Sequence, residues 1–291
     1  MTAETILEPD RPGQQRAERH RYVCSMRWGD MDAQGHVNNA SYLDYLQEAR
    51  VDFLLSGPPA LQDLLSSGVL VVSHQVEYLQ PVTFGYRPLR IDLWVDSVGG
   101  SRFGIGYDVF DGEVLAARAR TAAVPYTLAT GTLRRLSQDE RALLKAAQHP
   151  AAPLPVVPRV PVRDPAHHYR ISARWSDLDS YAHVNNVKYF DYLQEARIAL
   201  IAETLGWSSD QTWFVVRQDL EYLRPIDFRT APYEVVTGVS DVGTRSFRLA
   251  VEIRDPDAGT TLATARTVVV GGAPLTGEMR VALSRWAVEG P

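Results

Sequence analysis

Two stretches of this chain place carboxylates, a histidine and asparagines just ahead of a run with helical spacing. The first reads Trp28-Gly29-Asp30-Met31-Asp32-Ala33-Gln34-Gly35-His36-Val37-Asn38-Asn39, then Tyr42-Leu43-Asp44-Tyr45-Leu46-Gln47-Glu48-Ala49-Arg50. The second reads Trp175-Ser176-Asp177-Leu178-Asp179-Ser180-Tyr181-Ala182-His183-Val184-Asn185-Asn186, then Tyr189-Phe190-Asp191-Tyr192-Leu193-Gln194-Glu195-Ala196-Arg197. A loop can return a carboxylate at Asp32 to the start of the helix that follows it. There it can activate water or attack an electrophilic carbonyl itself. The first helical turn offers N–H groups that no helical carbonyl satisfies, at the positive end of the dipole. Negative charge developing on a carbonyl oxygen can settle there, and this chemistry needs no metal or other cofactor.

Each residue also has a plainer reading. An aspartate before a helix usually caps it or solvates a loop. Its double occurrence inside a longer motif favours catalysis for Asp32, and less strongly for Asp179. In the second run Gly35 is replaced by Ala182 and Gln34 by Tyr181, changes expected to narrow the approach to the backbone. Asp30 and Asp177 are expected to brace the loop through backbone N–H groups. His36 and His183 could serve as general bases or as structural hydrogen-bonding residues, and Asn38, Asn39, Asn185 and Asn186 read as caps or braces of the helix start. Glu48 with Arg50, and Glu195 with Arg197, are expected to form ion pairs. Cys24, the single cysteine, has Ile171 as its counterpart and reads as an apolar strand position. A calcium loop starting at Asp30 fails, because Ser41 stands at its twelfth position. No Gly-x-Ser-x-Gly elbow, phosphate loop or zinc spacing occurs.

The elements that must position these residues are written twice. Trp28 recurs as Trp175 and Arg50 as Arg197, 147 positions on; Glu77-Tyr78-Leu79 recurs as Glu221-Tyr222-Leu223, 144 positions on. Small changes of offset fall in loops, and a period this long marks a duplicated domain rather than a solenoid. Between the copies, Pro150, Pro153, Pro155, Pro158 and Pro161 predict an extended, semi-rigid connector. Within a copy, the steps of three and four among Tyr42, Tyr45, Leu46, Ala49 and Phe53 predict a helix over 39–55, ended by Gly57-Pro58-Pro59. Alternating segments at 20–28, 70–79, 88–97, 102–110 and 114–125 predict strands. Ser137 and Glu140 predict a capping box before a terminal helix, with Thr276 as the counterpart cap. Strand, long helix and four strands are satisfied by a curved antiparallel sheet around one central helix.

The 291 residues are 45% apolar and 22% charged, with a net charge of −5, which argues against nucleic acid as the main partner. A lone cysteine, no leader-like apolar run and no stretch of ~18 apolar residues predict a cytoplasmic protein without a membrane span. The expected division is a flexible tail (1–19), a first domain (20–149), a Pro-rich linker (150–166) and a second domain (167–291).

The run Trp-x-Asp-x-Asp-x-x-Gly-His-Val-Asn-Asn-x-x-Tyr at Trp28–Tyr42 resembles the hot-dog thioesterases of the 4-hydroxybenzoyl-CoA thioesterase family, in particular its acyl-CoA thioesterases. The resemblance covers about 20–145 and 167–286. It implies an α+β fold of two tandem hot dogs joined as an intrachain pseudo-dimer, with active sites in the seam. It implies Asp32 and Asp179 as catalytic carboxylates and oxyanion donors at Asn39 and Asn186. Gly35, His36, Asn38 and Tyr42, and His183, Asn185 and Tyr189, would be supporting residues, the two histidines through structural hydrogen bonds, since the family does not use that position as its base. The implied activity is hydrolysis of acyl-CoA, with an acyl-carrier-protein substrate or a non-catalytic acyl-CoA binder as alternatives. Two such chains could pair into a homodimer of four hot dogs. Arg102, Arg120, Arg245 and Arg266 are guesses at CoA contacts, set against simple solvation.

Overall fold

In the computed structural model, which describes residues 19–206 and 211–288, the alternating segments form strands around the predicted helices. The expected tail lies outside the described residues except for Arg19. In the first copy β1 (His20–Cys24) leads through a 3-10 turn (Trp28–Asp30) and the Asp32 loop into α1 (Ser41–Leu55). There follow α2 (Pro59–Ser67), β2 (Val69–Tyr78), β3 (Leu89–Val98), β4 (Phe103–Asp111), β5 (Val114–Thr127), β6 (Thr132–Leu133) and α3 (Gln138–Ala146). The second copy has β7 (His167–Ile171), a 3-10 turn (Trp175–Asp177), α4 (Lys188–Leu205), β8 (Trp213–Tyr222), β9 (Tyr233–Val242), β10 (Ser246–Asp255), β11 (Thr260–Gly271) and α5 (Gly277–Ser284).

Two expectations need correction. The strand predicted over 20–28 stops at Cys24, because residues 28–30 wind into the 3-10 turn. Gly57-Pro58-Pro59 ends α1 but also begins α2, with Pro59 at the first helical position, where its missing N–H costs nothing. The capping box is present as predicted: Glu140 N–H donates to Ser137 Oγ (3.1 Å) and Ser137 N–H to Glu140 Oε2 (2.6 Å). Thr276 Oγ1 takes the Met279 N–H in the same way (3.2 Å).

The strands form one antiparallel sheet in the order β1-β3-β4-β5-β2-β8-β11-β10-β9-β7, with β6 added to β5. The second half of this order mirrors the first, and the fold is a tandem hot dog. The halves join where β2 pairs with β8: His74 lies opposite Leu220, Gln75 opposite Asp219 and Val76 opposite Gln218. Gln75 and Asp219 hold the same place in the repeat, so a pseudo-twofold axis passes through their pairing. One apolar cluster spans both copies. Helix α1 buries Tyr42, Leu43, Tyr45, Leu46, Ala49 and Leu54 in it, and α4 buries the corresponding face from Tyr189 to Ile201. A fully buried Leu or Phe side chain contributes roughly 1.5–3 kcal/mol, so this packing fixes where the helix starts sit.

The Pro-rich segment has no helix or strand from 151 to 163, yet it is strapped to the sheet. Leu154 and Val162 are buried. Arg120 Nη2 donates to the Ala152 carbonyl (3.0 Å), Arg217 Nη2 to that of Pro155 (3.2 Å) and Arg254 Nη2 to that of Val162 (2.8 Å). Arg120 also pairs with Asp96 (3.3 Å), and Arg266 pairs with Glu221 (3.0 Å); both guanidiniums are largely covered rather than solvated. Arg102 and Arg245 stay exposed, donating to Ser73 Oγ and to the Gly272 carbonyl.

Candidate active site

Each site begins at its 3-10 turn. The Asp30 carboxylate accepts the Arg27 N–H (2.8 Å) and the hydroxyl of Tyr45 from α1 (2.6 Å). Asp177 accepts the Arg174 N–H (2.8 Å) and the hydroxyl of Tyr192 from α4 (2.7 Å). Burial alone would raise the pKa of Asp30, but the bonds from Tyr45 and Arg27 hold it below the ordinary carboxylate range.

Past the turn the chain reverses. Met31 bridges Val37, Asp32 N–H donates to the His36 carbonyl (2.8 Å), and Gly35 N–H donates to the Asp32 carbonyl (3.1 Å). Asp32 is half-buried; its Oδ1 accepts the N–H groups of Gln34 (2.8 Å) and His36 (3.1 Å). Its Oδ2 takes no hydrogen bond among the described residues. Asp179 is arranged alike, but its Oδ1 holds only the Tyr181 N–H (2.8 Å). The reversal needs a left-handed residue, supplied by Gly35 at φ +79° and by Ala182 at φ +61°. A Cβ at Gly35 would meet no atom of the chain within 4 Å, so the difference between the two loops themselves is conformational rather than a clash.

The two asparagines that follow divide the work. Asn38 Oδ1 accepts the Ala40 N–H (2.9 Å), and Asn185 Oδ1 accepts the Val187 N–H (3.2 Å), bracing each helix start. Asn39 and Asn186 are not caps; they reach across the seam. Asn39 Oδ1 accepts from Arg197 Nη2 (3.1 Å) and its Nδ2 donates to Gln218 Oε1 (3.3 Å), while its carbonyl accepts the Tyr78 hydroxyl (2.8 Å). Asn186 Oδ1 accepts from His74 Nε2 (3.0 Å) and its Nδ2 donates to Gln47 Oε1 (3.4 Å), while its carbonyl accepts the Tyr222 hydroxyl (2.7 Å). The flanking N–H groups are engaged: those of Asn38, Ala40 and Ser41 reach Asp30, Asn38 Oδ1 and the Asn38 carbonyl. The N–H groups of Asn39 and Asn186 take no acceptor among the described residues.

The loops also clasp the opposite copy. Gln34 exchanges two hydrogen bonds with the backbone of Trp213 (3.1 and 3.3 Å), and the Tyr181 hydroxyl accepts the Val69 N–H (3.1 Å). The expected side-chain hydrogen bond of His36 is absent among the described residues; its ring instead lies 5.9 Å from that of Phe214. His183 faces Asp227 at 3.7 Å. Tyr42 is buried against Tyr78, and the Tyr189 hydroxyl accepts the Ile226 N–H (3.0 Å).

The expected ion pairs of Glu48 with Arg50 and of Glu195 with Arg197 are absent among the described residues. Residues two apart on a helix face different sides, so Glu48 and Glu195 are exposed while Arg50 and Arg197 turn into the seam. Tyr78 and Tyr222, which fix the asparagine carbonyls, were legible only as members of the repeated Glu-Tyr-Leu. His74 and Gln218 carried no repeat signal, because the copies differ there. His74 is fully buried, and burial, with the charge of Arg50, pushes its pKa down to about 3. The neutral ring accepts from the Thr121 hydroxyl at Nδ1 (2.8 Å), so Nε2 carries the proton given to Asn186. Burial raises the Cys24 thiol to about 11, unlike a nucleophile. Two hollows of about 330 and 310 Å³ lie by Phe53 and Leu143 and by Pro232 and Pro256, and touch none of the residues above. Among the described residues no group of three or more His, Cys, Asp or Glu side chains is placed to hold a metal ion, and no helix is long and apolar enough to cross a membrane.

Comparison with known structures extends the fold over most of the chain. A 12:0-ACP thioesterase from Umbellularia californica matches at 18% identity, with a TM-score of 0.71 over 86% of this chain and 93% of its own. An acyl-ACP thioesterase from Bacteroides thetaiotaomicron matches at 15% identity and a TM-score of 0.66, over 86% of this chain and 96% of its own. A Lactobacillus plantarum protein described as an oleoyl thioesterase matches at 14% identity and 0.71, over 88% and 97%. A comparison with curated protein sequences found no match. The model of the Thioesterase-like superfamily matches residues 26–160 and 173–272, most of both copies. With two matched segments, each carrying the aspartate loop and the helix start, the chain belongs to the Thioesterase-like superfamily.

Proposed function

We propose that this protein hydrolyses acyl thioesters, acyl-CoA first among them, to free acid and thiol at seam sites built on Asp32 with Asn39 and on Asp179 with Asn186. The observation that carries this reading is the open N–H of Asn39, on a residue whose carbonyl and side chain are both tied down. Such a donor is held in place before the reaction, as stabilisation of a developing oxyanion requires. Asp32 supplies the other half. One carboxylate oxygen is anchored by the loop and the other is left to a water or to the thioester carbonyl.

As a base, Asp32 removes a proton from water while the water oxygen bonds to the carbonyl carbon. The carbonyl π electrons move to oxygen, and their return expels the thiolate. As a nucleophile, the carboxylate bonds to the same carbon, the thiolate leaves, and water then cleaves the anhydride. Both routes place the same charge at the same N–H. The copy-one site is the stronger, since Asp32 is held by two N–H groups and Asp179 by one.

Release of thiol from a panel of acyl-CoA chain lengths tests this. Asp32→Asn should remove most of the activity and Asp179→Asn less. Equal losses would overturn the ranking. No release from any acyl-CoA would exclude these substrates, and tight binding of intact acyl-CoA would then identify a non-catalytic binder. Turnover confined to acyl-carrier-protein thioesters would reassign the carrier.

A further inference from the structure

The two seam sites differ in what they leave unsatisfied. Around Asn186, His74 has both ring nitrogens engaged, with Thr121 and Asn186. Around Asn39 the corresponding position is Gln218, which uses Oε1 on Asn39 and leaves Nε2 buried without a partner. Arg197 likewise gives Nη2 to Asn39 and leaves Nη1 buried without a partner. Its counterpart Arg50 rests Nη1 on the Tyr107 hydroxyl (3.5 Å), but the residue 144 positions beyond Tyr107 is Val251, which offers no oxygen. Gln218 is 0% and Arg197 5% exposed. Two differences between the copies therefore leave two buried donors beside one asparagine. A buried donor left without an acceptor is destabilising, and no carboxylate among the described residues lies within ion-pair distance of Arg197.

Both donors belong to groups that touch the Asn39 side chain, and the N–H of that same residue is the proposed oxyanion donor. Groups that satisfied them would therefore lie on the Asn39 side of the seam, beside the residue proposed to face the thioester carbonyl. We propose that the copy-one site takes acyl thioesters carrying an acceptor oxygen, above all a carboxylate, within a few carbons of the thioester, held by Arg197 Nη1 and Gln218 Nε2. The copy-two site, with its histidine satisfied, takes plain acyl groups. This inference rests on the hydrolytic reading only for which residue faces the thioester. It makes its own claim about which acyl group is bound.

The test compares three four-carbon thioesters, butanoyl-, 3-hydroxybutanoyl- and succinyl-CoA, on Asp179→Asn protein, so that the copy-one site is read alone. A hydrogen bond to a charged group is worth about 1.5–3 kcal/mol, roughly 10- to 150-fold. The expected result is kcat/KM at least about tenfold higher for succinyl- than for butanoyl-CoA, with 3-hydroxybutanoyl-CoA between them. In the same background Gln218→His, which installs the ring that copy one carries, should collapse the succinyl-to-butanoyl ratio toward one. Equal kcat/KM for the three substrates, or a preference that Gln218→His leaves intact, would overturn the proposal. If no thioester turns over, calorimetry on Asp32→Asn/Asp179→Asn protein separates the two readings. Succinyl-CoA binding about tenfold tighter than butanoyl-CoA, lost with Gln218→His, would support the binding site while hydrolysis fell. Equal or absent binding would sink the binding site as well.

Discussion

Gly35 and Ala182 hold the same left-handed place in the two aspartate loops, and only one of them suits it. A left-handed conformation costs an L-residue roughly 1–2 kcal/mol, partly offset by the greater entropy that glycine loses on folding. Ala182→Gly should therefore raise the melting temperature, and Gly35→Ala lower it, each by on the order of 2 °C for a chain this long. Scanning calorimetry checks both, and opposite signs would show that the loop's conformation is not limiting. His74 gives a second prediction at this scale. Its folded pKa of about 3 lies far below the ordinary 6.5, so the unfolded chain binds a proton that the folded chain refuses. The stability that neutral His74 contributes is complete above about 6.5 and is lost as pH falls toward 3. His74→Gln, the residue copy two uses, should flatten the stability profile across that window in denaturant titrations.

Each aspartate loop is fastened to its central helix by one phenol. Tyr45→Phe removes the hydroxyl that donates to the buried Asp30 carboxylate and should cost about 2 kcal/mol, measured by chemical denaturation. Because the folded pKa of Asp30 lies below its ordinary value, the stability it contributes is present near neutrality and is lost as pH falls through the folded value. Tyr45→Phe should shrink that acid-dependent part. Much at this scale was legible beforehand. Spacing marked α1, the strands, and the caps at Ser137 and Thr276, because these depend on local periodicity and on side chains reaching their own backbone. The repeat marked the aspartate loops. What was missed depends on partners distant in sequence. Asn39 looked like a cap until Arg197 and Gln218 were seen across the seam, and Glu48 seemed a partner for Arg50 until the helix turned them apart. Residues such as His74 and Gln218, where the copies disagree, are invisible to an argument from repetition.

Across the whole molecule, the strand arginines that hold the linker, Arg120, Arg217 and Arg254, form a charged layer under the Pro-rich strap. Arg217 Nε donates to Asp219 Oδ1 at 2.6 Å, with both side chains buried. Asp219→Ala strands that guanidinium and should cost about 3 kcal/mol, at the low end for a broken buried pair because Arg217 keeps the Pro155 carbonyl. The double variant Arg217→Met/Asp219→Leu should recover part of the loss. A single-variant cost below about 1 kcal/mol in urea titrations would mean that water reaches this layer.

The register of β2 against β8 has a consequence for what covalent fusion permits. A residue on the axis of a true homodimer confronts its own twin: two glutamines would meet if both halves were copy one, and two mutually repelling carboxylates if both were copy two. In this chain Gln75 Nε2 donates instead to Asp219 Oδ2 at 3.4 Å. Unlike neighbours at a self-opposed position are open only to a protein that no longer has to be identical to its other half.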